Sequence, residues 1–365
     1  MDVQAIQAMS EFVLFRVILG TLGIAVFGII FGLLYKGIDR KIAAHMQGRI
    51  GPPIRQPFRD IVKLFTKENV VPENSIPWIF NLAPLLGLVA AISILLYLPL
   101  GSFPPILTYN GDIILILYLL IIPSLAMVIG GFSSGSPYAI VGAQREMATM
   151  IAYEFPLAII IISLATRLIQ VSVTGGVVVN VFALSTIAST PVWGVVGPLG
   201  FIGLLILLLV LLIVTPAELS KIPFDSPEAE TEIAGGLLVE YSGRNLAMFY
   251  LTDGVKTIVM ASIIVALFFP YTLTQIDFLS GMAGTIPGYA LDIIFYLVKI
   301  FLVILFSVTL IRVAIARLKI DQIVYTYWIP LTLIGLVGLI FLMWDPATIT
   351  NYGWPTMLQL LGLGS

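Results

Sequence analysis

The stretch "ELSKIPFDSPEAETE", residues 218 to 232, sets five carboxylates (Glu218, Asp225, Glu228, Glu230, Glu232) and one ammonium (Lys221) into a chain with only 10% charged residues. Asp225 or Ser226 can cap a helix whose early positions are Pro227 and Glu228, and acids near a helix start offset the positive end of its dipole. That need accounts for two acids, not five. Two X-Pro steps, Ile222-Pro223 and Ser226-Pro227, stiffen the chain before the cap, so the acids are held in place. The pattern reads as the lining of a polar cavity that joins a membrane to a partner docked on its cytoplasmic face. Further charges lie in apolar runs: Glu146 and Glu154 around "TMIAYEFPLAIII", Asp253 and Lys256 in "FYLTDGVKTIV", and Asp292 and Lys299 further on. A charge at mid-bilayer costs about 2.5–3.5 kcal/mol on insertion scales, so such groups face a bundle interior and either pair or work. Asp253 and Lys256, three apart, can form an ion pair that holds a helix end or can serve an ion path. Glu154 has no basic residue within a turn, and a partly desolvated carboxyl without a near cation is suited to taking up and releasing protons. Its reading is a proton or cation pathway, set against a buried structural acid.

These groups need a membrane to be unusual in, and the composition supplies one. Hydrophobic residues make up 59% of the 365, and the mean hydropathy is +1.08, against roughly 45–50% apolar content in soluble domains. A net charge of −2 with few basic residues gives no support to nucleic-acid binding. No cysteine and one histidine, His45, leave no ligand set for iron–sulfur clusters, thiolate zinc, haem or copper. Any redox centre is therefore expected on a partner, with no catalytic centre and no cofactor on this chain. The acidic opening "MDVQAIQAMSEF" leads into an apolar run without a cleavage site, which reads as a retained first span.

Runs long enough to cross lie near 12–35, 79–98, 112–131, 147–166, 192–214, 248–270, 290–311 and 326–344. The expectation is an all-α integral membrane protein, one polytopic domain over 1–365, with about eight transmembrane helices. Residues 168–191, broken by Gly, Ser and Thr, read as an excursion along one surface that can include short strands. Fourteen of the 18 Lys and Arg residues fall in loops that eight spans place on one side, near 36–78, 132–146, 215–247 and 312–325. The positive-inside rule makes that side cytoplasmic and puts both termini outside the cell membrane. In the first of these loops "QPFRDIVKLFTKEN" spaces Phe58, Ile61, Val62, Leu64 and Phe65 helically among charges. It reads as a cytoplasmic amphipathic helix whose basic face meets lipid headgroups or a docked partner.

The segment "AELSKIPFDSPEAETEIAGGLLVEYSG" (217 to 243) resembles the hallmark loop of the H-type membrane subunit of complex I and of its counterpart in energy-converting membrane-bound [NiFe] hydrogenases. The pieces "RKIAAHMQGRIGPP", "QPFRDIVKLFTKE", "AYE" and "RVAIARLKIDQ" match in order, so the similarity covers most of the chain. The resemblance implies a protein that anchors a peripheral redox arm, with cytoplasmic loops flooring its electron-accepting site. It implies that buried acids, matched here by Glu154, Glu218, Glu228, Glu230, Glu232 and Asp253, form a hydrated track. With the charges read above in the apolar runs, the expected ion pathway is Glu146, Glu154, Glu218, Asp253 and Lys256, and the expected redox-coupling loop is Lys221, Asp225, Glu228, Glu230, Glu232, Glu240 and Tyr241. Arg40, Lys41, Arg49, Arg59, Lys63, Lys67 and Arg145 become the residues that dock partners. Those partners would be a hydrogenase-like large subunit and iron–sulfur subunits, carrying a NiFe or related centre and the clusters, and antiporter-like membrane subunits. Asp253 stands where the complex I pattern has Glu. The first loop is shorter than in quinone-reducing members, with only "PIR" between Gly51-Pro52 and Gln56-Pro57, and Ser220-Lys221 replaces Asn-Arg. Both departures favour the hydrogenase-like branch, including ferredoxin-linked sulfur-reducing complexes, over a quinone reductase. A stand-alone ion transporter is the third reading.

Overall fold

The computed structural model describes residues 3–108, 110–175, 180–189, 191–194, 196–275, 281 and 284–352. Helices dominate: α1 (Val3–Met46), α2 (Gln56–Thr66), α3 (Pro77–Leu95), α4 (Asp112–Ser133), α5 (Pro137–Gly175) and the short α6 (Leu184–Ser189) come first. They are followed by α7 (Pro198–Glu218), the one-turn α8 (Glu230–Ile233), α9 (Gly243–Phe268), α10 (Ile286–Ala314) and α11 (Ile320–Asp345). All but α2, α6 and α8 are long and apolar enough to cross a membrane, eight among the described residues. A bilayer interior offers no water to backbone polar groups, so apolar runs of this length must satisfy their own amides as helices. Proline occupies the first turn of α2, α3, α7 and α10, where an N–H would have no helical acceptor. α2 is amphipathic as expected: Ile61 and Leu64 pack with Leu33 of α1 and Ala247 and Leu251 of α9, leaving Arg59, Lys63 and Lys67 outward.

Two expectations need correction. Residues 168–175 continue α5 and 184–189 form α6, with Leu184 and Ile187 buried in the core, so no strand lies among the described residues there. Residues 176–179 and 190 of that stretch lie outside the described set. The fourth span also begins ten residues earlier than its apolar run, because Glu146 finds a buried partner in Ser220 while Arg145 pairs with Glu232 at the edge of the bundle. Glu146 is thus well inside a helix, 1% exposed, rather than marking its start.

Interior prolines free backbone carbonyls, and the structure uses them. Pro84 in α3 cannot donate to Phe80 O, and that carbonyl accepts the Tyr241 hydroxyl at 3.3 Å while the two rings stack 4.1 Å apart. In α11, Pro330 falls in a π-helical turn, Tyr327–Leu331, where the Thr332 hydroxyl donates to Tyr327 O at 2.8 Å. α10 carries a second π turn, Leu305–Thr309, which aims the Thr309 hydroxyl at Asp39 Oδ1, 2.6 Å away.

Close helix crossings depend on glycine. Gly32 of α1 meets Gly254 of α9 so tightly that a Cβ on Gly32 would lie 2.6 Å from the Gly254 carbonyl. Gly203 of α7 and Gly338 of α11 make a similar crossing. The first has a chemical consequence, since Lys36 stands one turn beyond Gly32 and Asp253 directly precedes Gly254. Gly32→Ala is expected to force α1 and α9 apart and cost about 1–3 kcal/mol, the range for overpacking. Gly23→Ala, where a Cβ meets open space, should be neutral, and thermal melting of the two variants measures the difference.

Candidate functional site

Asp253 occupies the centre of the first polar cluster. Lys36 Nζ from α1 lies 2.6 Å from its Oδ2, and Lys221 Nζ from the acidic segment lies 2.6 and 2.7 Å from its two oxygens. The Lys36 ammonium also sits 4.9 Å above the Tyr250 ring, one helical face of α9 thereby supplying both a carboxylate and a π surface. Three segments distant in sequence are joined at one carboxylate. The i,i+3 pair between Asp253 and Lys256 does not form: both partners of Asp253 come from elsewhere, and Lys256 points to another acid.

That acid is Glu218, the last residue of α7. Lys256 Nζ lies 2.8 Å from Glu218 Oε1 and donates to Ser124 Oγ at 2.7 Å, which is 3.3 Å from the Tyr153 hydroxyl. Glu146 accepts from Ser220 Oγ at 3.4 Å, and its Oε1 has no hydrogen-bond donor among the described residues. Glu146, Glu218 and Lys256 are each 3% exposed or less, so these charges sit where Coulomb interactions are strong and water is scarce. Glu154 follows Tyr153 on α5, half-buried, within electrostatic reach of Glu218 and with Oε1 likewise lacking a donor.

A cavity of about 50 Å³ joins the clusters, lined among others by Glu218, Ser220, Lys221, Glu228, Asp253 and Lys256. One water needs roughly 10–15 Å³ measured this way, so the cavity has room for a short chain of them. A wider vestibule of about 350 Å³ is lined by Glu228, Glu230, Gly235 and Tyr250. Glu228, Leu238 and Tyr250 line both spaces. The polar groups thus run from Glu230, exposed, through Glu228 and the small cavity to Glu218, and on to Glu154. Lys36, Lys221 and Lys256 face Asp253, Glu228, Glu218 and Glu146, three ammonium groups against four carboxylates. Fully ionised, this group holds one negative charge in excess, which a proton or a cation can neutralise.

The acidic segment is not the continuous capped helix that its sequence suggests. Ser226–Glu228 forms a single 3-10 turn, Ala229 is extended, α8 is one turn long, and Ala234 and Gly235 take left-handed backbone with φ of 53° and 96°. Asp225 makes no capping hydrogen bond and instead pairs with Arg317; Glu230 and Glu232 do occupy the first turn of α8, but one turn sums too few peptide dipoles to account for the acids. Arg145 pairs with Glu232 and donates to Ser226 O, and Leu318 N donates to Pro223 O at 3.1 Å. α5 and the α10–α11 connection therefore hold the segment from both sides. Glu240 and Tyr241 line neither cavity, Tyr241 instead pinning the segment to α3. Among the basic residues, Arg49, Arg59, Lys63 and Lys67 are exposed, Lys41 is half-buried, and Arg40 lies 3.7 Å from Asp60. Asp292 and Lys299 do not pair with each other: Asp292 accepts from Ser102 and Thr274, and Lys299 donates to Phe269 O and Tyr271 O. Sequence reasoning missed Lys36, Tyr153 and Ser124, none of which stands out in sequence; only the spacing of Lys36 from Gly32 hints at its role.

Burial pushes the Glu228 carboxyl above its ordinary range, against the pull of Lys221 and Lys36. A carboxyl raised on folding stabilises the folded state below its unfolded value, near 4.3, and that contribution is lost as pH rises through the folded value. Hydrogen exchange across 219–242 should therefore quicken as pH climbs through the raised Glu228 value, after correction for intrinsic exchange, and Glu228→Gln should flatten that dependence.

Comparison with known proteins places this architecture. The profile described as NADH dehydrogenase matches residues 19–343. Hydrogenase-4 component C of Escherichia coli K12 is 34% identical over 242 residues, 66% of this chain and 72% of that protein. The H-type component of the NADH-quinone oxidoreductase of Phocaeicola vulgatus is 28% identical over 316 residues, 84% of each. A chain in the structure of the membrane-bound sulfane sulfur reductase, an archaeal respiratory membrane complex, superposes with a TM-score of 0.75 at 29% identity, covering 90% of this chain and 99% of that one. The chain belongs to the NADH dehydrogenase family and is a multi-pass membrane subunit of a complex I-related assembly.

Proposed function

We propose that this protein anchors the redox arm of a ferredoxin-linked oxidoreductase, of the membrane-bound hydrogenase or sulfur-reducing kind, and couples its electron flow to ion translocation. The observation that carries the reading is the small cavity between the Asp253 and Glu218 clusters, which puts the acids of the cytoplasmic segment and those of the bundle on one polar route. Electrons reaching a NiFe or related centre on a hydrogenase-like partner, fed by iron–sulfur subunits, change charge or shape beside the segment 218–240. The proton affinities of Glu228 and the acids behind it shift in response, and an ion moves inward. The chain itself holds no catalytic centre in this scheme. The exposed Arg49, Arg59, Lys63 and Lys67 form the basic floor on which the peripheral subunits dock, on the cytoplasmic side, with both termini across the membrane.

Glu154 is the exit. It stands beside an α5 face whose Met147, Ile151, Phe155 and Ile162 are exposed, and a carboxylate on a lipid-facing helix needs a polar neighbour. An antiporter-like membrane subunit covering that face would receive the ion. Each charge moved against 100 mV costs about 2.3 kcal/mol, which the redox reaction must supply. Glu154→Gln in the intact complex is expected to abolish redox-linked ion uptake into vesicles while leaving assembly and electron transfer in place; undiminished uptake overturns the assignment. Co-purification of a NiFe-bearing chain supports the hydrogenase branch, whereas tightly bound quinone transfers the same route to a quinone reductase. Ion flux through the isolated chain would instead mark a stand-alone transporter.

A further inference from the structure

Between the middle of α7 and the middle of α10, beneath the end of α9 that lies away from the acidic segment, the two helices part company. They meet at the π turn Leu305–Thr309 and leave a groove of about 440 Å³ between Leu208 and Leu212 of α7 and Phe295, Leu302, Val303 and Phe306 of α10, closed above by Phe269 and Tyr271. Its lining is apolar, with the methylene stem of Lys299 on one wall, and Leu302 and Phe306 open outward at 43% and 56% exposure. Water gains nothing in such a space. Hydrocarbon does.

The ammonium of Lys299 sets the character of the rim. It donates to Phe269 O at 2.9 Å and Tyr271 O at 2.7 Å, capping the carbonyls where α9 ends, and lies 4.9 Å from the Phe295 ring. Two of its three N–H groups are thereby used, and no carboxylate lies within ion-pair distance among the described residues. A fixed cation beside an apolar groove on a membrane-facing seam matches one occupant, a lipid with a hydrocarbon chain and an anionic headgroup. We propose that this groove binds an anionic phospholipid, its acyl chain lying between α7 and α10 from Lys299 toward Phe306 and its phosphate accepting the third N–H of Lys299. Such a lipid wedges the seam between the spans, away from the ion route.

The test is native mass spectrometry of the intact complex taken from nanodiscs of equal phosphatidylglycerol and phosphatidylcholine. Wild type should retain phosphatidylglycerol severalfold over phosphatidylcholine. Leu302→Trp, which fills the groove from its exposed side, should lose one retained phosphatidylglycerol, and Lys299→Gln should bring the two headgroups toward equal retention. An unchanged lipid count in Leu302→Trp, or an unchanged headgroup ratio in Lys299→Gln, overturns the proposal. The lipid that Leu302→Trp releases decides the matter even without the lysine variant, since a zwitterionic one overturns it.

Discussion

The arrangement rests on one carboxylate held between two ammonium groups. Removing three charges from water costs several kcal/mol apiece, and only short contacts from more than one direction repay it. Asp253 receives such contacts from Lys36 and Lys221, and each arrives because of a backbone feature. Lys36 is brought by the Gly32–Gly254 crossing; Lys221 is brought by the segment that Tyr241, Arg145 and the α10–α11 connection pin down. Truncating one partner of such a cluster strands the others, so the ion contacts specify geometry at least as much as they stabilise it. A membrane helix pair, a loop and a cavity wall are all fixed at the same atom.

A contrast within the molecule separates carboxylates whose acceptors are filled from those that keep one free. At the opposite end, Asp345 of α11 lies 3.2 Å from Arg167 and accepts the backbone amides of Gly197 and Gly200 at 2.9 Å each, capping α7. Its acceptors are filled by fixed donors, and it borders no cavity among those lined by the acids. Glu146 and Glu154 each keep a carboxylate oxygen without a donor, and Glu218 and Glu228 border a space that admits water. Spare acceptors, one excess negative charge and a gap with room for water are what an ion needs for successive residence; satisfied pairs offer none of them.

Much of this was legible in the sequence, for physical reasons. Apolar runs report spans because a bilayer imposes length, and the crowding of acids at 218–232 stands out against so little charge elsewhere. Periodicity could not say that Glu146 lies inside a helix, since the run of hydropathy stops at charges that pair only in three dimensions. Nor could local spacing choose partners for Asp253: the nearest ammonium in sequence, Lys256, is drawn instead to Glu218 on α7. The expected helix from Pro227 onward dissolves at Ala229, whose extended backbone carries no signal in a residue that favours helices. The broken excursion read into 168–191, with room for short strands, came from taking Gly, Ser and Thr as helix breakers, although packing overrides propensity where a helix has neighbours to bury against.

The claim that everything else serves is that the two clusters communicate through the cavity between them. Thr252→Met lays an apolar side chain across that cavity, which Thr252 lines, while leaving every acid and lysine in place. The ratio of ions translocated to electrons transferred, measured in vesicles carrying the intact complex, should then fall close to zero with electron transfer preserved. A ratio equal to that of the unaltered complex, with the cavity shown to be filled, would contradict the account.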